Sequence, residues 1–567
     1  MVVMVFRVEY LTRLIHQNKV AGVLVPTSNP VAHPTWIDNQ EYLNNEVELM
    51  ITTTDFFAKR RAGILLHITS LPSSLGNGSL GKEAYYFIDF LAECGLSVWQ
   101  VLPIHPLTLD LSAGILDLSP YQPQSVHAGN PLLIDLQKLI HQGWLPRMEL
   151  ASFDQNQLEA SIDYRHTCLK KAAVYFFRQA NTKDHDAYQQ FVQENQKWLD
   201  DYALFRALKD FYQGAHWWEW THEGYRNHDQ LALTEANKQF ADAIEQYRFE
   251  QFAFFTQWQK LKTYANQNGV YLFGDMPFFV AHDSVEVWAY RDNFCLNEQG
   301  HPQFYSGVPP GQDYFTSGKG QCWYHPLYHW KNLQNTDFKW WCQRFEIMHR
   351  LFDLVRLTHF RGFYQCWAIP TDDRKNGQWQ EVPGTALFTQ LQQAQTQWEN
   401  PLIWVAEDVD VPEEVIKLRN QFRISGIKIL QLAFDLHGDT LVLKNYHLPH
   451  HHMPRDIVYT GTHDSNTTVG WLEKVKQDEN KQKYVYSYLN IQSSEKASYS
   501  LIQAAFQSVA KLAMIPMQDI LNLNSDYRMN VPGTLNNRNW RWQFEWVQLT
   551  DEIKTQLKEL VERYERK

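Results

Sequence analysis

The sequence predicts an α/β fold, a (β/α)8 TIM barrel carrying large helical and loop insertions. Two observations predict it. Short apolar runs recur along the chain, each ending in polar or charged residues, and helical stretches separate many of them. That alternation marks a parallel sheet buried on both faces. The first run is Gly63–Ile68, followed by Pro, Ser and Gly. Val98–Ile104, Val270–Asp275 and Leu354–Phe360 follow, then Ile403–Asp408, Ile427–Phe434 and Asp456–Asp464. These make seven strands, and an eighth is expected near Ile515–Leu521. A closed barrel of eight would gather its active groups at the carboxyl ends of the strands.

The spacing between the runs is uneven. Residues 110–265 form a long insertion with helical stretches at 167–180 and 235–265. A second insertion, 282–335, is rich in Gly, Pro and aromatic residues and reads as loops over a site. Residues 1–60 stand apart as an N-terminal accessory segment of unassigned role. Leu11, Leu14 and Ile15 suggest a short amphipathic helix there, and the stretch around Pro26–Pro34 reads as loop. The barrel domain then spans 61–567.

Composition excludes several classes. The 567 residues carry 52 Lys+Arg against 63 Asp+Glu, a net charge of −11. An acidic balance argues against binding a phosphate backbone, so no nucleic-acid partner is expected. No apolar run approaches the ~20 residues of a membrane-spanning helix, and the first six residues are too short for a secretory signal core. The six cysteines are scattered with no Cys-x-x-Cys pair, which suits reduced thiols in a cytoplasmic protein and gives no zinc spacing. Aromatic residues make up 14%. A large core accounts for many of them, but several are flanked by Gln, Asn, His and Asp, as stacking platforms for sugar rings would be.

Three strand ends place acids where a barrel would use them: Asp275, Glu407–Asp408 and His463–Asp464. A lone Asp after a strand is usually a cap or turn former. Three together point further, because sugar transfer needs carboxyl groups flanking a glycosidic bond. Arg356 and Thr358 share one strand face by the two-residue period, while Asp353 and His359 fall on the other. An inward Arg356 requires a carboxylate partner.

Ordered motifs carry a resemblance. They run from Gly63-Ile-Leu-Leu-His-Ile-Thr-Ser-Leu-Pro-Ser-Ser74 through Ser119-Pro-Tyr-Gln122, Ala128-Gly-Asn-Pro-Leu132 and Gly274-Asp-Met-Pro277 to His359-Phe-Arg-Gly-Phe363. Ala406-Glu-Asp408, Tyr459-Thr-Gly-Thr-His-Asp464, Arg528-Met-Asn530 and Asn539-Trp-Arg-Trp542 complete them. In this order they resemble the 4-α-glucanotransferases (amylomaltase, or disproportionating enzyme) of the α-amylase superfamily, over about nine-tenths of the chain. The resemblance implies no C-terminal β-sandwich, no organic cofactor and no metal. It implies transfer of α-1,4-glucan segments between maltooligosaccharides in the cytoplasm, through a covalent glycosyl-enzyme that retains anomeric configuration. It further implies Glu407 as general acid/base, Asp464 as the carboxylate supporting the oxocarbenium-like state, and His463 and Arg356 as partners in the donor subsite. Tyr121 is implied as the platform under that sugar, and Asp275, Asp313 and Trp323 as more distant contacts.

The sequence departs from the family at its nucleophile. The family pattern reads Arg, aliphatic, Asp, His, Phe, Arg, Gly, and here Thr358 holds the Asp position. A threonine hydroxyl is a poor nucleophile without an adjacent base. Arg356, lacking its usual carboxylate partner, is expected to pair with Asp464 or bind an anion. Tyr324-His325 also replaces the usual Gly-Asn before Pro326. Three functions follow as alternatives: a glucanotransferase impaired at Thr358, a non-catalytic glucan-binding pseudoenzyme, or an α-glucan hydrolase.

Overall fold

The structure, a computed structural model, describes residues 56–109, 111–112, 115–311, 319–437, 440–491 and 497–567. The expected helix at Leu11–Ile15 and the loop around Pro26–Pro34 lie outside them. Eight parallel strands close a barrel: β1 (Arg61–Leu65), β2 (Val98–Gln100), β3 (Tyr271–Met276), β4 (Leu354–Leu357), β5 (Ile403–Ala406), β6 (Ser425–Ile429), β7 (Ile457–Tyr459) and β8 (Leu512–Pro516). Each neighbours its sequence successor, and β8 closes on β1. All seven expected strands are present; the eighth lies at Leu512–Pro516, earlier than the expected Ile515–Leu521, where Met517–Ile520 is helical.

The two-residue period sorts each strand into a lumen face and a helix-facing face. Val98, Phe273, Leu354, Val405, Ile427, Ile457 and Leu512 fill the lower lumen, with Phe56 and Phe57 packed against them from below. Gly63 permits β1 to come close, since a Cβ there would lie 2.3 Å from the Val98 carbonyl oxygen. One step higher along the same faces the lumen becomes polar. Asp275 follows Phe273, Arg356 follows Leu354 and Glu407 follows Val405, while Gln100 accepts a hydrogen bond from the Tyr459 hydroxyl at 2.9 Å.

The first insertion is a helical subdomain between β2 and β3, with helices at Leu158–Gln179, Thr182–Phe211, Gln230–Gln239 and Ala241–Gln267. Asn181 caps the second by accepting from the Asp184 amide. The last packs on β3 and returns the chain to the barrel. The second insertion is more ordered than the loops its composition suggests. Strands Phe304–Val308 and Gln321–Pro326 join Gln365–Pro370 and Gln378–Glu381 in a four-stranded antiparallel sheet. Ser306, Cys366 and Ala368 bury one of its faces. No described helix is long and apolar enough to cross a membrane. After β8 the described chain forms short helical turns and one helix, Asp551–Arg563.

Candidate active site

A cavity of about 360 Å³ opens at the carboxyl ends of the barrel strands. Tyr121, Trp323, Arg356, Thr358, Glu407, His463 and Asp464 all line it. Asp275 lies beneath its wall, 1% exposed. Asp313 lies outside the described residues. Adjacent strands set the central contacts by register, since Asp275 of β3 and Val405 of β5 both pair with Arg356 of β4. Arg356 donates to Asp275 Oδ2 at 2.7 Å and to Glu407 Oε1 at 2.5 Å. This corrects the expectation from sequence, which paired Arg356 with Asp464 or an anion. Burial works against the charge on Arg356, but Asp275 and Glu407 outweigh it and hold the guanidinium protonated. Glu407 uses both oxygens, the second accepting from the His359 amide at 2.7 Å.

Asp408, one residue on, turns to the opposite face. It accepts from the Ile427 amide at 3.0 Å and pairs with Arg419, a structural role. Asp353 sits at the other end of β4, accepting from the Leu272 amide at 2.7 Å.

The far wall is built on loops after β2, β7 and β8. The Tyr121 hydroxyl donates to Asp275 Oδ2 at 2.9 Å and lies 2.9 Å from His463 Nε2. The two rings stack at 5.3 Å with 13° between their planes. His463 Nε2 also lies 3.3 Å from Asp464 Oδ2, and the Asn530 amide donates to Asp464 Oδ1 at 2.7 Å. Burial alone would push the Asp464 carboxyl up; His463 and Asn530 outweigh it and hold it down at about 2. Asp464 is therefore ionised across the physiological range.

Thr358 is 8% exposed and its hydroxyl is committed to backbone. Oγ1 donates to the Met276 carbonyl at 2.9 Å and accepts from the Phe278 amide at 3.0 Å. His359 corrects a second expectation. Strand alternation put it opposite Thr358, yet its ring lines the cavity, edge-on to Trp323 at 4.9 Å. Its φ of 49° takes it out of strand geometry and re-aims the side chain. Burial lowers its imidazole to about 4, so it is neutral near pH 7. Sequence reasoning missed His359 and the part played by Asn530, although Asn530 sits in a motif that carried the resemblance. Among the described residues no cluster of three or more His, Cys, Asp or Glu side chains is placed to hold a metal ion.

Comparison with known proteins decides the family. A family model described as 4-alpha-glucanotransferase matches residues 66–550. The chain belongs to the 4-α-glucanotransferase family. It is 40% identical to the 4-alpha-glucanotransferase of Synechocystis over 525 residues, covering 90% of this chain and 98% of that one. It is 40% identical to that of Thermus thermophilus over 519 residues, 89% and 99% of the two chains. Among solved structures, an amylomaltase from Streptococcus agalactiae in complex with acarbose superposes with a TM-score of 0.82 at 32% identity, over 90% of this chain and all of that one. As a member of a 4-α-glucanotransferase family, the chain carries its cavity at the strand ends where barrel enzymes place their chemistry.

Proposed function

We propose that this chain binds maltooligosaccharides in the strand-end cavity as a 4-α-glucanotransferase, transferring α-1,4-glucan segments by a retaining route, and that Thr358 impairs its turnover. In that route a carboxylate at position 358 attacks the anomeric carbon while Glu407 gives its proton to the departing glycosidic oxygen. The donor fragment is held as an ester. The 4-OH of an acceptor glucan then loses its proton to Glu407 and attacks the same carbon, and the ester bond breaks. Asp464, ionised and fixed by Asn530, supports the positive charge that develops on the sugar. Tyr121 stacks against that sugar, with His463 and Arg356 ordering its hydroxyls, and Trp323 contacts the chain further out. Asp275 acts from below through Arg356 and Tyr121. Asp313 is assigned to an outer contact on the resemblance alone. A cytoplasmic site of action is part of this proposal and is supported by the six free thiols.

One observation carries the impairment. The Thr358 hydroxyl donates to the Met276 carbonyl, so its proton has no base to accept it. It also brings no negative charge to the developing oxocarbenium ion. The same observation supports a second reading, glucan binding without turnover. Maltotriose incubated with this chain and with Thr358→Asp, products resolved by length, separates the two. A ladder of longer glucans from Thr358→Asp alone supports an impaired transferase. No ladder from either, with binding intact in both, supports the binding protein.

A further inference from the structure

Tyr324 is 53% exposed and has a φ of 62°. Bulky L-residues rarely enter this left-handed region, because Cβ crowds the backbone. A bulge puts it there. In the antiparallel sheet Tyr305 pairs with Pro326 while Gly307 pairs with Cys322, so Trp323, Tyr324 and His325 together stand opposite Ser306. Bulges re-aim side chains beside active sites, and this one divides its three residues. Trp323 and His325 line the cavity. Tyr324 projects to solvent, yet its ring is fixed. Tyr305 meets it at 5.3 Å, and the Arg374 guanidinium sits 5.4 Å from the Tyr324 ring and 5.6 Å from the Tyr305 ring. An exposed ring adds little to a core, so core packing does not account for the strained backbone that holds it. Strain of this kind persists where the surroundings impose it and gathers at ligand sites.

We propose that Tyr324, braced by Tyr305 and flanked by Arg374, is a stacking platform for an outer glucose unit of an α-1,4-glucan that extends beyond the cavity. The inference rests on the glucan reading of the cavity. Its chemistry is that of sugar recognition: the aromatic face takes the C–H face of a pyranose, and the Arg374 guanidinium offers donors to ring hydroxyls. Tyr324 lies between Trp323 and His325, which both line the cavity. A short oligosaccharide fills the cavity without reaching it. A longer one passes Trp323 and lies on Tyr324, so the platform selects for chain length.

The test titrates maltotriose and maltoheptaose into the unaltered chain, Tyr324→Gly and Tyr324→Phe by calorimetry. Glycine accepts a φ of 62° without strain, so Tyr324→Gly keeps its fold, checked by an unreduced Tm. The expected result is a loss of roughly three- to tenfold in maltoheptaose affinity for Tyr324→Gly, unchanged maltotriose affinity, and full retention of both in Tyr324→Phe. Unchanged maltoheptaose affinity in Tyr324→Gly, or an equal loss for both lengths, overturns the platform alone. Failure of both sugars to bind the unaltered chain overturns the glucan reading and the platform with it.

Discussion

Arg356 on β4 reaches across to Glu407 at the end of β5, its Nη2 lying 2.5 Å from Oε1. The same guanidinium holds Asp275 of β3 at 2.7 Å, so one cation joins three adjacent strands in the polar layer of the barrel. Both Arg356 and Asp275 are almost wholly buried. Removing the cation would leave the buried Asp275 carboxylate with only the Tyr121 hydroxyl and no opposite charge. Arg356→Ala should lower folding stability by roughly 3–5 kcal/mol, read as a fall in the denaturation midpoint. An unchanged midpoint would show that the pair adds nothing to the fold.

His463 and, after it, Asn530 hold the Asp464 carboxyl down. The folded carboxyl, at about 2, lies below its unfolded value, so its contribution is present above the unfolded pKa and is lost as pH falls through about 2. Asn530→Ala deletes the amide that donates at 2.7 Å. The Asp464 carboxyl should then titrate about one unit higher, from a charged hydrogen bond of about 1.5–3 kcal/mol less what water restores. Carboxyl-carbon NMR titration of Asp464 in the unaltered chain and in Asn530→Ala should show that rise, and an unmoved titration would place the charge of Asp464 under another control.

Several buried histidines make the fold acid-sensitive. Burial lowers His67 and His447 to about 3 and His105, His325, His359 and His452 to about 4. In the unfolded chain they bind protons below about 6.5. Between pH 4 and 6.5 the unfolded state therefore binds more protons, and stability rises with pH across that window. Tm should fall progressively from pH 7 to pH 4. His447→Gln should flatten that slope, and an unaltered slope would remove His447 from the account.

The apolar floor is a packing device. Leu354 is fully buried in the lower lumen with Phe273 and Val405. Leu354→Ala should destabilise by roughly 2–5 kcal/mol through lost burial and the void it leaves. A cost under 1 kcal/mol, from equilibrium denaturation, would mean that the lumen collapses around the missing atoms.

Much of this architecture was legible in the sequence, because parallel strands buried on both faces leave short apolar runs. Arg356 was legible as an inward cation, but its partners were not. They depend on the register of β4 against β3 and β5, which no single strand encodes. His359 was misassigned because alternation holds only while the backbone stays extended, and its φ of 49° ends that at the first residue after Thr358. The antiparallel sheet was hidden for a related reason. Its strands are short, interrupted by Gly and Pro, and drawn from segments on either side of β4, so their pairing appears only in three dimensions.

In the proposed function the missing carboxylate at position 358 limits transfer. The most direct measurement of that limit is the product ladder from maltotriose with the unaltered chain beside Thr358→Asp. Longer glucans and glucose are expected from Thr358→Asp, at a rate higher by several powers of ten, each about 1.4 kcal/mol of barrier. Equal ladders from both proteins would contradict this expectation, since the site would then hold a nucleophile other than residue 358.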